Sequence, residues 1–132
     1  MVNMTDGDAE AHFVQDISNV AEGNWRWARQ RPTVKLKIRT NENLKFTIDF
    51  SIAEVTLKDT GPVNLSFYVN DHLLEKVPYA MPGQMHYEKP VPPEWVEPGK
   101  DVTLAAEIDK VWIAKGDGAK LGFILTRIGL TQ

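Results

Sequence analysis

The side chains best suited to covalent or metal chemistry are few in this chain and poorly spaced for it. There is no cysteine, which excludes disulfides, thiolate nucleophiles and Cys-ligated zinc. The serines are Ser18, Ser51 and Ser66, and none sits in the G-x-S-x-G turn that presents a hydrolase nucleophile. His12, His72 and His86 lie far apart and match no zinc spacing; only convergence in space, as in a cupin, would make them ligands. No phosphate-cradling P-loop or dinucleotide fingerprint is present. Glu94, Glu97, Asp101, Glu107 and Asp109 cluster in sequence, as a glycosidase pair or a calcium site would require. Without a D-x-D-x-D loop they read as solvated turn and edge residues. The expectation is a protein that is not an enzyme, with no metal and no cofactor.

The aromatic residues carry a stronger signal. Sugars bind where aromatic planes stack on their C–H faces while amides and carboxylates bond their hydroxyls. Trp25 and Trp27 are two apart and share a face if they lie in a strand. Tyr79, Tyr87 and Trp95 fall in a proline-rich stretch expected at the surface. Tyr68 alternates toward the polar side of its segment with Asn64, Ser66 and Asn70, and Asp117 sits in a turn between two glycines. Trp25, Trp27, Tyr68, Asn70, Tyr87, Trp95 and Asp117 are therefore the candidate ligand-binding set. The competing reading of each tryptophan is a core residue, because burying it removes a large apolar area from water. The competing reading of the protein is a structural or protein–protein interaction module, including a homodimer through a sheet edge or the proline-rich segment.

A basic run extends over the same region. Between Trp25 and Lys45 lie Arg26, Arg29, Arg31, Lys35, Lys37, Arg39 and Lys45 against the single acid Glu42. Basic residues interleaved with aromatics can bind anions or nucleic acid. Lys35, Lys37 and Arg39, however, occupy the wet face of an alternating strand, where lysines also block edge pairing. Bulk charge gives nucleic acid no support: the net charge is −3, with −5 in residues 1–22 and +2 in the rest.

The elements that must position these residues are strands. The chain has 132 residues, 42% apolar and 25% charged, which suits one folded domain with its own core. Val34, Leu36 and Ile38 alternate with Lys35, Lys37 and Arg39; Leu44, Phe46, Ile48 and Phe50 alternate with Lys45, Thr47 and Asp49. Period-two alternation makes strands with one buried face, and the intervening Thr40–Asn43 predicts an antiparallel hairpin. The second strand is expected to continue with a bend through Ile52, Val55 and Leu57. Val63–Val69 alternates again, and Asn70-Asp71 predicts a tight turn into His72–Val77. Six of the eight prolines lie between Pro78 and Pro98, which excludes central sheet there and leaves room for a short strand at Met85–Glu88. Further strands are expected at Val102–Ile108, Val111–Ala114 and Leu121–Leu130. Residues 1–11 read as a flexible acidic leader and 12–132 as the domain. No apolar run is long enough to cross a bilayer, and the opening residues have no signal-peptide pattern. This leaves the compartment open.

About eight short strands with little or no helix imply a sandwich or barrel. The long proline-rich crossover favours an antiparallel two-sheet jelly roll with Greek-key connections.

The two ends of the domain sharpen this. Residues 23–38, GNWRWARQRPTVKLKI, and 116–130, GDGAKLGFILTRIGL, resemble the boundary motifs of bacterial jelly-roll accessory modules. Those modules open with a Trp-containing segment leading to an Arg-rich strand, carry an asparagine turn like VNDHLL, and close on an acidic turn followed by Leu-Gly-hydrophobic. Asp117 matches the closing acidic position, and Lys120 stands where arginine is usual. The resemblance spans about Phe13 to Leu130. It implies a β-sandwich of the carbohydrate-binding-module type, found beside sugar-modifying enzymes, with a glycan or cell-surface polysaccharide as its partner.

Overall fold

A computed structural model describes all 132 residues. Its strands are β1 (Val2–Asn3), β2 (Phe13–Ile17), β3 (Arg26–Lys37), β4 (Lys45–Ile52), β5 (Val63–Val69), β6 (His72–Tyr79), β7 (Gly83–Pro90), β8 (Asp101–Ile108), β9 (Trp112–Ile113), β10 (Lys120–Leu121) and β11 (Phe123–Thr131), with one helix, α1 (Glu54–Thr60), between β4 and β5. Hydrogen-bonded neighbours run β6-β5-β8-β3-β11-β4-β7, all antiparallel, with β1 added to β11 and β2 to β3.

The long strand β3 joins two layers. Its first residues pair with β11 (Ala28 with Phe123) and its last with β8 (Val34 with Leu104). The ladder opens between these contacts around Pro32, which has no N–H to offer. One layer is therefore β6-β5-β8 with the end of β3, and the other is the start of β3 with β11-β4-β7. Between them lie the alternating apolar residues read from sequence: Val63, Leu65, Phe67 and Val69; Val102, Leu104, Ala106 and Ile108; Phe46, Ile48, Phe50 and Ile52. Phe67 meets Phe46 at 5.6 Å and Phe50 at 6.3 Å between ring centroids, so aromatic contacts cross the layers. The fold is the expected antiparallel β-sandwich, closed along one side through β3.

Four local expectations change. First, β3 and β4 form no hairpin, because β11 lies between them and pairs with both. The loop at 40–43 instead carries the chain across the roughly 10 Å between layers. Second, the segment after Ile52 is the helix α1, not a bent strand; Leu57 packs on the core and Gly61 ends the helix at φ 73°, a conformation glycine tolerates. Third, the strand expected at Met85–Glu88 extends over Gly83–Pro90 and pairs with β4 along its length. It is an edge strand, as its proline requires. Fourth, the leader is packed. Val2, Met4 and Ala9 are buried, β1 pairs with β11, and Arg26 holds the segment by donating to Met4 O (2.9 Å) and to Glu10 (3.2 Å).

The expected β5–β6 hairpin is present. Val69 faces His72 across Asn70 and Asp71, with φ 47° and 65°, the left-handed pair of a two-residue hairpin turn.

Candidate carbohydrate-binding cleft

The start of β3 and the short β9–β10 hairpin enclose the largest hollow on the molecule, about 580 Å³, within the usual range for small-ligand sites. Its walls are the end of β2 and the segment after it (Asp16, Ser18, Asn19 and Val20), Trp27 and Arg29 of β3, and Ala114, Asp117, Ala119 and Leu121 opposite.

Local chemistry sets each wall. Asp16 adopts φ 61° and its carboxylate accepts the Arg31 N–H at 2.9 Å, where the β2–β3 register shifts before Ile17 pairs again with Ala28. Ser18 N–H donates to Trp27 O at 2.9 Å, and the buried Arg26 donates to Ser18 O at 3.0 Å. The far wall closes through Ala114 N–H to Ala119 O at 2.8 Å, and Asp117 Oδ1 accepts Ala119 N–H at 3.0 Å.

Trp27 is half-buried at the centre of a row of indoles. Trp25 meets it edge-on, at 5.7 Å and 87°. Trp112 lies on another side at 6.2 Å and 39°. The rings thus form a bent wall and not a coplanar pair. Arg29 is exposed with no carboxylate within 4.0 Å, so the cleft offers an aromatic ring, an unpaired cation, carboxylates and an amide together. Trp112 was missed from sequence; its four-residue strand segment, VWIA, gave no facing signal, although the residue type alone was a cue.

Of the seven candidates, Trp27 and Asp117 line this cleft and Trp25 braces Trp27. The others lie elsewhere. Tyr68 is half-buried with the Arg31 guanidinium 4.3 Å above its ring, so one face is already stacked. Asn70 spends its side chain on backbone: Nδ2 donates to Trp95 O and Oδ1 accepts Thr103 N–H, both at 2.9 Å. Trp95 stacks on His72 at 4.9 Å and 19°. Tyr87, expected at the surface, is in the core. It lies on the inward side of β7, stacks on Phe67 at 4.0 Å, and donates its hydroxyl to Glu75 at 2.8 Å. Burial, reinforced by that acceptor, pushes its hydroxyl well above the usual tyrosine range.

The histidines do not converge. Nδ1 of His12 contacts the Lys35 carbonyl, His72 is on Trp95, and His86 is on the outer face of β7. No three His, Asp or Glu side chains gather at metal-ligand reach. The carboxylates from Glu94 to Asp109 also separate: Glu97 pairs with Lys100, Glu107 with Arg31, and Asp109 accepts from Asn64.

One polar cluster stands apart from the cleft. On the outer face of β11-β4-β7, Asp49 lies between Arg127 and His86 (2.5 Å from Nδ1), and Nε2 of His86 is 3.4 Å from Glu88, which pairs with Lys45. Partial burial alone would raise Asp49, but the Arg127 and His86 hydrogen bonds outweigh it and hold the carboxyl below its usual range. The Asp49 contact raises His86, against a smaller effect of desolvation, and Glu88 adds to the rise.

No protein-family model and no curated protein matches the sequence. Solved structures do. A family 35 carbohydrate-binding module from an environmental isolate superimposes with a TM-score of 0.52 at 11% identity, covering 98% of this chain and 94% of that one. A family 35 carbohydrate-binding module from Clostridium thermocellum gives 0.45 at 9% identity, covering 89% and 85%. Dimeric latent PorU from Porphyromonas gingivalis gives 0.44 at 18% identity over 89% of this chain and 12% of that one. The two-layer architecture and the coverage of nearly the whole chain by the first of these agree: this chain shares its β-sandwich fold with that module.

Proposed function

We propose that the protein is a non-catalytic module that binds carbohydrate in the cleft between Asp16–Val20 and the β9–β10 hairpin. Trp27 is the stacking ring. Asn19, Asp16 and Asp117 supply polar contacts to hydroxyls, and Arg29 to hydroxyl or acidic substituents. The observation that carries this reading is the placement of a half-buried tryptophan on the wall of the largest hollow, flanked by two further indoles and several polar side chains. An apolar plane with a few convergent polar groups is what a small-ligand site needs.

Tryptophan emission tests the proposal directly. Iodide quenching of the intact chain is measured with and without a panel of soluble polysaccharides and simple sugars. Protection of the emission by one glycan, lost in Trp27→Ala, is the expected result; removing one stacking ring should weaken binding at least about tenfold. Emission that no glycan changes, together with a stable dimer in sedimentation, would instead favour an interaction module using an open sheet edge at β6 or β7.

A further inference from the structure

Apart from Arg29, which lines the cleft, the basic run singled out in the sequence divides in two once folded. Arg26, Arg31 and Lys45 are neutralised by Glu10, by Asp71 with Glu107, and by Glu88. Lys35, Lys37 and Arg39 have no carboxylate within 4.0 Å, and all three are exposed, while Leu36 and Ile38 between them turn inward. Asp101 lies opposite Lys37 in the β3–β8 register but forms no ion pair with it. The two lysines therefore project on one side, about 6.6 Å apart along the strand, and Arg39 continues the row.

This row borders a second hollow of about 400 Å³, lined by Lys37, Arg39 and His12 over a floor that includes Leu36, Leu44 and Leu130. None of these residues touches the tryptophan cleft. Adjacent unpaired cations repel one another and are stabilised by a ligand that carries repeated negative charge. No phenyl, phenol or indole ring lines the hollow, so it lacks the platforms on which single-stranded bases stack. We infer that Lys35, Lys37 and Arg39 form a second binding site, separate from the cleft, for an acidic polysaccharide bearing carboxylate or sulfate groups.

The test is native affinity electrophoresis of the full chain at about 50 mM salt, where exposed charges are only partly screened. The gels contain polygalacturonate, dextran sulfate or neutral dextran, and a parallel titration uses oligo(dT). The site requires retardation by at least one acidic glycan and none by dextran; which one retards shows whether carboxylate or sulfate is preferred. Retardation should fall as salt rises. The triple variant Lys35→Gln/Lys37→Gln/Arg39→Gln should bind about tenfold more weakly, as three exposed charge contacts imply, with an unchanged circular dichroism spectrum. No retardation of the wild type by either acidic glycan overturns the inference. Equal retardation of the triple variant does so too, as does tighter binding to oligo(dT) than to both glycans. Because these residues lie outside the cleft, either outcome leaves the Trp27 reading untouched, and a failure of that reading leaves this one standing.

Discussion

His86 is the residue whose protonation matters most to the outer sheet face. Its Nδ1 meets Asp49 and its Nε2 faces Glu88, so the imidazolium is favoured and its pKa lies above the ordinary 6.5. A raised histidine contributes stability that is fully present below about pH 6.5 and lost as pH rises through the folded value. Asp49 works in the other direction. Its depressed pKa contributes stability above the usual carboxylate range, lost as pH falls through the folded value. Together they favour the fold most on the acidic side of neutrality. Melting temperature followed from about pH 5 to about pH 9 should therefore decline over the range in which His86 loses its proton. His86→Gln should flatten that decline, and the slope should be modest, because the imidazole is half exposed and screened. An identical slope in the variant would mean that the imidazole–carboxylate contact contributes nothing measurable. Sequence showed Asp49 on the wet face of its strand. It could not show that β11 brings Arg127 to Asp49, because that pairing joins distant segments.

At the scale of elements, what was legible depended on how local the cause was. The β5–β6 hairpin could be read because Asn70 and Asp71 themselves adopt the left-handed turn. The β3–β4 hairpin was misread because two alternating strands with a polar loop look alike whether they pair directly or cross between layers. Only β11, from the far end of the chain, decides it. The helix α1 was misread for a related reason: one short amphipathic turn following a strand can mimic a bulge in a period-two pattern. Tyr87 was misplaced because its proline-rich neighbourhood suggested a loop, whereas β7 is a full edge strand with an inward face. Asn70 is the element-scale hinge of the β5–β6 turn. It holds φ 47° and ties the turn to Trp95 and to Thr103 of β8. Asn70→Ala keeps the backbone strain without the side-chain bonds and leaves the Thr103 N–H without its acceptor. The cost should be about 2–3 kcal/mol, read as a lower urea midpoint with an unchanged slope. Asn70→Gly relieves the strain and should cost less. Equal losses in the two variants would assign the effect to the hydrogen bonds alone.

The whole molecule follows from alternation plus one departure from it. Strict period-two patterns in four segments require one buried face on each strand, and the two-layer sandwich satisfies them all. The cleft was half legible, through Trp27 and Asp117, because an indole near a glycine turn is a local cue; the third indole, Trp112, and the wall at Asp16–Val20 depend on tertiary placement. The departure is the leader. Its acidic, small-residue composition suggests a solvated tail, yet Val2 and Met4 complete the core against β11, and Ala9 is buried beside them. Arg26 explains why an acidic leader belongs there. Its side chain is 7% exposed, and its guanidinium lies 5.0 Å from the Phe13 ring centroid and finds acceptors in Met4 O, Glu10 and Ser18 O. A chain beginning at His12 would lose Met4 from the core and two of those acceptors at once. Each loss alone ranks among the larger single effects known, about 2–5 kcal/mol for a buried apolar side chain and 3–5 for a buried charge stripped of its partner. Since a domain of this size holds only about 5–15 kcal/mol in total, the truncated chain should unfold at a much lower urea concentration. Because Ser18 O is the third Arg26 acceptor, its tryptophans should also become more accessible to iodide even where it remains folded. A truncated chain with the parent's urea midpoint would show that the leader only rests on the sandwich. A lowered midpoint with unchanged quenching would make the leader part of the core without a hand in shaping the cleft.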